Sequence, residues 1–249
     1  MLEHLNRMRM DPQGELDVLF ESLNPLVSPD PAVNAALDYF NDPTSEELLA
    51  DWAALVPIQP VAWHSSLYDA AYAHNLLLIE HDTQSHQLPG EDPVHLRVES
   101  AGYTNWSWLG ENVYSWAQSV FHCHSAFAID WGVESRGHRN NMMNGTHREI
   151  GISIVPETDL STSVGPLVVT TDYGSRSDMG NSYLLGVVYD DANGNGRYDA
   201  GEGAGGQTIE VSGPAGTFTT TTLSAGGYQL QVPVGTYTVT ATGSLLAEP

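Results

Sequence analysis

The segment Trp131-Gly-Val-Glu134-Ser-Arg-Gly-His138-Arg-Asn-Asn-Met-Met143 sets a carboxylate and an imidazole on either side of a permissive glycine, Gly137. Upstream, Gly110-Glu111-Asn112 again puts a glycine beside a carboxylate, and His86 lies farther back in Asp82-Thr-Gln-Ser-His86-Gln-Leu-Pro-Gly90. The Gly and Pro neighbours place these groups at helix ends and in loops, where functional side chains are commonly presented. Two neutral imidazoles suit zinc or a similar divalent ion. Carboxylates beside them can orient a ring or take a proton from bound water. Where a fold brings these groups together, His86 and His138 are the expected metal ligands, with Glu111 and Glu134 supporting them and serving as the candidate catalytic bases. A buried His/Glu cluster that only ties loops together would use the same residue types.

Outward from these motifs the chain reads as helices first and strands later. Leu2, Leu5 and Met8 begin a helical pattern that breaks near Pro12 and resumes over Glu15–Leu23. Pro25, Pro29, Pro31, Pro43, Pro57 and Pro60 then predict short helices joined by turns. Trp63, Leu67, Ala70, His74, Leu77 and Leu78 recur at helical spacing, with Ser66 and Asp69 as a capping box. Ser119–Trp131 is a second strong helix. Within it His122 and His124 point apart, so with Cys123 they read as packing rather than as a ligand set. Ile150, Ile152 and Ile154 alternate as a strand, as do Leu167, Val169 and Thr171. Trp106, Trp108 and Trp116 flank Glu111 and suit either a cleft wall or a core.

Composition narrows the function. Thirty-one acidic residues against eight basic ones, all Arg, give a net charge of −23. That balance excludes a broad nucleic-acid surface, which needs clustered Lys or Arg. It also disfavours anionic membranes and favours cations. A single cysteine, Cys123, excludes an internal disulfide framework. No uninterrupted apolar run approaches the roughly 20 residues of a membrane helix. The first residues, MLEHLNRMRMDP, lack the apolar core of a signal peptide.

These words, taken in order, resemble the CAP superfamily of cysteine-rich secretory, antigen 5 and pathogenesis-related 1 proteins, also called SCP domains. The likeness runs through LNRMR (5–9), Trp63 with Leu67, His86, RVESAGY (97–103), GEN (110–112), Trp131 with Glu134, GHRNNMM (137–143), EIGISI (149–154) and VVTTDYG (168–174). The bacterial branch reads W-x-x-S-x-G-H-R. Here one extra residue intervenes, and Glu134 falls where eukaryotic members carry their second Glu. The resemblance implies an α+β fold: an α/β/α sandwich over 1–176, with a helical extension within 1–60. It also implies a wide cleft floored by His86, His138, Glu111 and Glu134.

Near residue 180 the composition changes. Every His lies before it, and Val211–Ala247 carries no charge. Residues 183–249 alternate with period two between Gly-containing turns, which predicts a smaller all-β sandwich. Its loop Asp191-Ala-Asn193-Gly-Asn195-Gly-Arg197-Tyr-Asp199-Ala-Gly-Glu202 has calcium-loop spacing. Oxygen side chains fall at positions 1, 3, 5, 9 and 12, a sharp-turning Gly196 at 6 and the Arg197 carbonyl at 7. A plain Asn-Gly turn is the competing reading. The stretch resembles Sdr-type B-repeat and carboxypeptidase-regulatory-like modules, which implies a calcium-stiffened spacer or adhesive module.

Together these readings lead to an expectation: a bacterial protein, secreted or at the cell surface, with calcium in its second domain. Its cleft would hold zinc or another divalent metal and a peptide, lipid or glycan ligand. A metal-assisted, peptidase-like hydrolase is one alternative, and an adhesive or scaffold protein with an inert cleft is another.

Overall fold

The computed structural model describes residues 1–243, so the last six residues of the expected second domain lie outside the described ones. The chain divides into two compact units, Met1–Ser177 and a second beginning at Asp178. The first unit holds α1 (Leu2–Met10), α2 (Pro12–Leu19), α3 (Pro31–Phe40), α4 (Ser45–Ala53), α5 (Ser65–Glu80), α6 (Val94–Ser100), α7 (Val120–Ile129) and α8 (Gly137–Met142). Its strands are β1 (Ser22–Leu23), β2 (Leu26–Val27), β3 (Ala62–Trp63), β4 (Trp106–Ala117), β5 (Glu149–Pro156) and β6 (Leu167–Arg176).

A four-stranded sheet in the order β3-β5-β6-β4 forms the centre, with β4 at one edge. Helices cover both faces, and the alternation of the strands explains why. Ile150, Ile152, Val169 and Tyr173 pack with Leu5, Met8, Leu19 and Phe127 on the α1, α2 and α7 side. Val113 and Val168 face the other way, against Leu78 of α5. Gly151 lets α5 lie directly on the sheet. A Cβ there would fall 2.0 Å from the Tyr68 nitrogen. Asn75 of α5 rivets the same layer, donating to Ser153 O at 3.1 Å and Val168 O at 3.0 Å while accepting from Thr170 at 2.6 Å.

Three local expectations differ from the structure. The helix starting at Glu15 stops at Leu19, because Asn24-Pro25 makes the turn of a small β1–β2 hairpin. The cap of α5 is His64, whose ring accepts from Ser66 N, and not Ser66 with Asp69. Glu111 sits in the middle of a twelve-residue strand rather than in a loop. A glycine-flanked acid on an edge strand looks like a turn until its partner strand is known.

The second unit holds β7 (Ser182–Val187), β8 (Thr208–Gly213), β9 (Gly216–Thr221), β10 (Gly227–Val232) and β11 (Thr238–Thr242). β7 pairs with β10, and β8 lies between β11 and β9. Ile209, Val211 and Val232 are buried among Leu184, Tyr228, Leu230 and Tyr237.

Buried charge joins α1, α2 and α7. Glu15 of α2 takes Arg7 of α1 in a two-pronged bond at 2.7 and 2.9 Å, and His124 of α7 at 2.8 Å. Burial opposes ionisation of Glu15, but those donors outweigh it and bring its carboxyl down to about 2. His147 is also lowered, to about 4, by burial and by the charge of Arg9. Both groups bind fewer protons folded than unfolded. The His147 contribution is whole above an unfolded value of about 6.5 and is lost as pH falls toward 4; that of Glu15 is lost between about 4.3 and 2. The melting temperature should therefore fall more between pH 6.5 and 4 than that of His147→Gln, which lacks the His147 contribution. Glu15→Gln should cost about 3 kcal/mol at pH 7 in denaturant titration, because it leaves the Arg7 guanidinium without its anion. An equal fall in the parent and in His147→Gln would contradict this account.

Candidate functional site

Glu111 is the hub of the first cluster. His86, on the loop after α5, approaches through Nδ1 at 2.8 Å, and Arg97 of α6 donates at 2.5 Å. The Glu111 side chain is 5 % exposed and that of His86 is 64 % exposed, so a buried carboxylate steers a surface imidazole. The loop bearing His86 is pinned from below. His74 of α5 is wholly buried, with Nδ1 on Glu91 at 2.7 Å and Nε2 on Ser85 O at 2.9 Å. Glu91 in turn accepts from Leu88 N at 2.9 Å.

Register adds a further acid. Glu111 stands directly opposite Asp172 across the β4–β6 ladder. Side chains of such cross-strand neighbours lie on one face. Asp172 is fully buried, and burial together with the charge of Glu111 raises its carboxyl well above the ordinary range. Burial opposes ionisation of Glu111 too, but His86 and Arg97 outweigh it and hold that carboxyl below its usual value. The two adjacent carboxyls are thus pushed apart, Asp172 up and Glu111 down, as like charges sharing a buried site require.

The second cluster forms around Asp130, the left-handed C-cap residue of α7. Its Oδ1 takes His138 Nδ1 at 2.6 Å, and its Oδ2 takes the backbone N–H of Arg139 at 3.1 Å. His138 stacks on Phe127 with centroids 5.1 Å apart. Arg9 of α1 fixes α8 by donating to Met142 O at 2.5 Å and Asn144 O at 3.2 Å, a cation at a helix C-terminus. Glu134 is exposed in the preceding turn, with no hydrogen bond or ion pair to His138. The carboxylate expected from Glu134 is supplied by Asp130. Asp130 escaped the sequence reading, although an acid at the negative end of an uncharged helix is costly and so marks a residue held for a partner.

His86 and His138 belong to opposite faces of the edge strand. Glu111 and Asn112 are consecutive, so their side chains alternate. Glu111 holds His86, and Asn112 donates to the His138 carbonyl at 3.1 Å. Gln84, two residues before His86, lines the same cavity as His138, Tyr114 and Trp116. Of the three tryptophans flanking Glu111, Trp116 is in that wall, Trp106 bonds Glu99 at 2.7 Å and Trp108 is exposed. Among the described residues no three His, Cys, Asp or Glu side chains converge as a ligand set. His122 and His124 diverge, to Gln118 N at 3.0 Å and to Glu15 at 2.8 Å. Cys123 is buried, which pushes its thiol up and away from reactivity.

The family model for the cysteine-rich secretory protein (CAP) family matches residues 2–173. The chain belongs to the CAP family. No curated protein matches the chain. Among solved structures, this CAP protein is similar to an outer surface protein of Borrelia burgdorferi. The identity is 15 % and the TM-score 0.40, covering 60 % of this chain and 96 % of that one. It is also similar to an extracellular Bacillus anthracis protein containing an SCP domain. There the identity is 16 % and the TM-score 0.39, covering 62 % of this chain and 48 % of that one. No helix among the described residues is long and apolar enough to cross a membrane.

The Glu111 bond is the main cause that raises the His86 imidazole above its ordinary range; burial opposes it. In metal-free protein, Glu111→Gln should therefore shift the His86 titration to lower pH in histidine NMR spectra. An unmoved His86 titration would show that the pair does not form.

Proposed function

We propose that this CAP protein is an extracellular binding protein that holds a divalent metal ion at the edge of β4 through Nε2 of His86 and of His138, alongside a ligand in the neighbouring cavity. The observation that carries the reading is the paired engagement of Nδ1 on both rings, by Glu111 at 2.8 Å and by Asp130 at 2.6 Å. A carboxylate on one ring nitrogen fixes tautomer and orientation and leaves the other nitrogen as a better ligand. Imidazole donors suit zinc, and water would complete a site with only two protein ligands. Metal analysis and zinc titration by calorimetry test this. His86→Ala and His138→Ala should each abolish zinc uptake, and Asp130→Asn should weaken it about 10- to 100-fold. Zinc binding that is equal in all three variants would refute the site.

Calcium in the Asp191–Glu202 loop belongs to the same reading, as the stiffener of a small β-sandwich spacer. Its hard-oxygen donor set supports this. Asp199 Oδ2 accepts from the amides of Asn193 at 2.8 Å and Asn195 at 2.7 Å, and Glu202 accepts from Ala192 N at 3.2 Å and Asp199 N at 3.0 Å. The side chains of loop positions 3, 5 and 9 are thus already turned toward one another, and that of position 12 bonds backbone within the same loop. Calcium would require the two Asn amides to present oxygen instead of nitrogen, giving up the bonds their Oδ1 atoms accept from Asn195 N at 3.0 Å and Arg197 N at 2.8 Å. Added calcium should raise the melting temperature of the second unit and chelator should lower it. Glu202→Gln should remove the response. A melt indifferent to both in the parent protein would remove the calcium assignment.

A further inference from the structure

Beside His138 lies a cavity of about 320 Å³, between α7, the turn after it, the end of β4 and the last residue of α3. Phe40, Tyr114, Trp116, Phe127 and Trp131 are five of its lining side chains. Their planes differ. Tyr114 stands edge-on to Trp116 at 6.2 Å and 76°, and to Phe127 at 6.4 Å and 66°. An occupant therefore meets π systems turned in more than one direction.

The rings are held before any ligand arrives. The Trp116 indole donates to Ser163 O at 2.9 Å, and Trp131 stacks on His122 with centroids 5.5 Å apart. Phe40 rests on the left-handed Gly132, where a Cβ would lie 2.4 Å from the ring. Asp42, two residues on, ties that contact down by accepting from Gly132 N at 3.0 Å and from Arg136 at 2.8 Å. Such preorganisation saves the ordering cost of binding.

Charge selects the occupant. No Lys or Arg lines the cavity, Asp130 does, and the chain carries a net charge of −23. A carboxylate or phosphate would meet this field with no cation to receive it. A sugar, with its many hydroxyls, would find few polar side chains, among them Gln84, Tyr114, Asp130 and His138. A cation with an apolar skin meets none of these obstacles. Aromatic faces attract it, most strongly where water is excluded, and methyl groups lessen the hydration it must shed.

We propose that this cavity is an aromatic cage for a trimethylammonium group, borne by a free solute such as choline or by a phosphatidylcholine headgroup. The proposal stands without the metal site, although His138 borders both.

The test uses the full chain, treated with chelator, and follows tryptophan fluorescence and calorimetry during titration with choline and with 3,3-dimethylbutan-1-ol, its uncharged isostere. Choline should bind saturably and roughly tenfold or more tighter than the isostere, the margin expected of a desolvated cation–π contact. Trp116, which is 41 % exposed, can be changed without breaking the core. Trp116→Leu should weaken choline severalfold and leave the isostere nearly unchanged. Vesicles of pure phosphatidylcholine assign the source: co-sedimentation supports a headgroup, and choline binding without it supports a free solute. Equal affinity for choline and isostere, or no choline binding, would overturn the cage. Zinc titrations of the same sample report separately on the metal reading, so either can fail alone.

Discussion

Two asparagine side chains hold the site region together. Asn141 of α8 donates to the Glu111 carbonyl at 3.1 Å and to Asn112 Oδ1 at 2.8 Å, while Asn112 donates back to the His138 carbonyl. The exchange locks a six-residue helix, too short to be stable alone, onto the edge strand of the sheet. It sets the backbone of His138 against the backbone of Glu111, and hence relates the two imidazole–carboxylate pairs. Buried amides with satisfied partners fix geometry in a way apolar contacts cannot, because a shift of an ångström leaves donors unpaired.

The sparse Arg residues serve that arrangement. Arg9 grips carbonyls after α8, Arg97 balances Glu111, and Arg136 and Arg139 reach Asp42 and Asp51 of the helical extension. Arg139 also lies 5.5 Å over the Trp52 ring. Planar, always-charged guanidinium suits each of these fork-like or stacked contacts better than an ammonium would. In a chain with one buried cysteine, these links and the packed faces of the sheet do the fastening that disulfides supply elsewhere.

The extension also shapes the cavity. Without α3, Phe40 would not close the wall over Gly132, and the space beside His138 would be an open groove. The binding surface and the scaffold are thus built from the same contacts, with Trp131 and Tyr114 belonging to both the core and the cavity.

Much of this was legible in the residues. Apolar periodicity marked α5, α7, β5 and β6, because burial on one face imposes the period of the element. The motifs containing His86, Glu111 and His138 pointed to the CAP fold, and the Asn-Gly-rich loop stood out by its spacing. Pairing was not legible. Nothing in sequence distance tells that Asp172 faces Glu111, that Asp130 rather than Glu134 takes His138, or that His74 anchors the loop of His86. Each depends on strand register or on a turn whose direction one inserted residue can change. Periodicity is a local property of the chain, whereas partnership between buried charges is decided only when distant segments are brought to the same few ångströms.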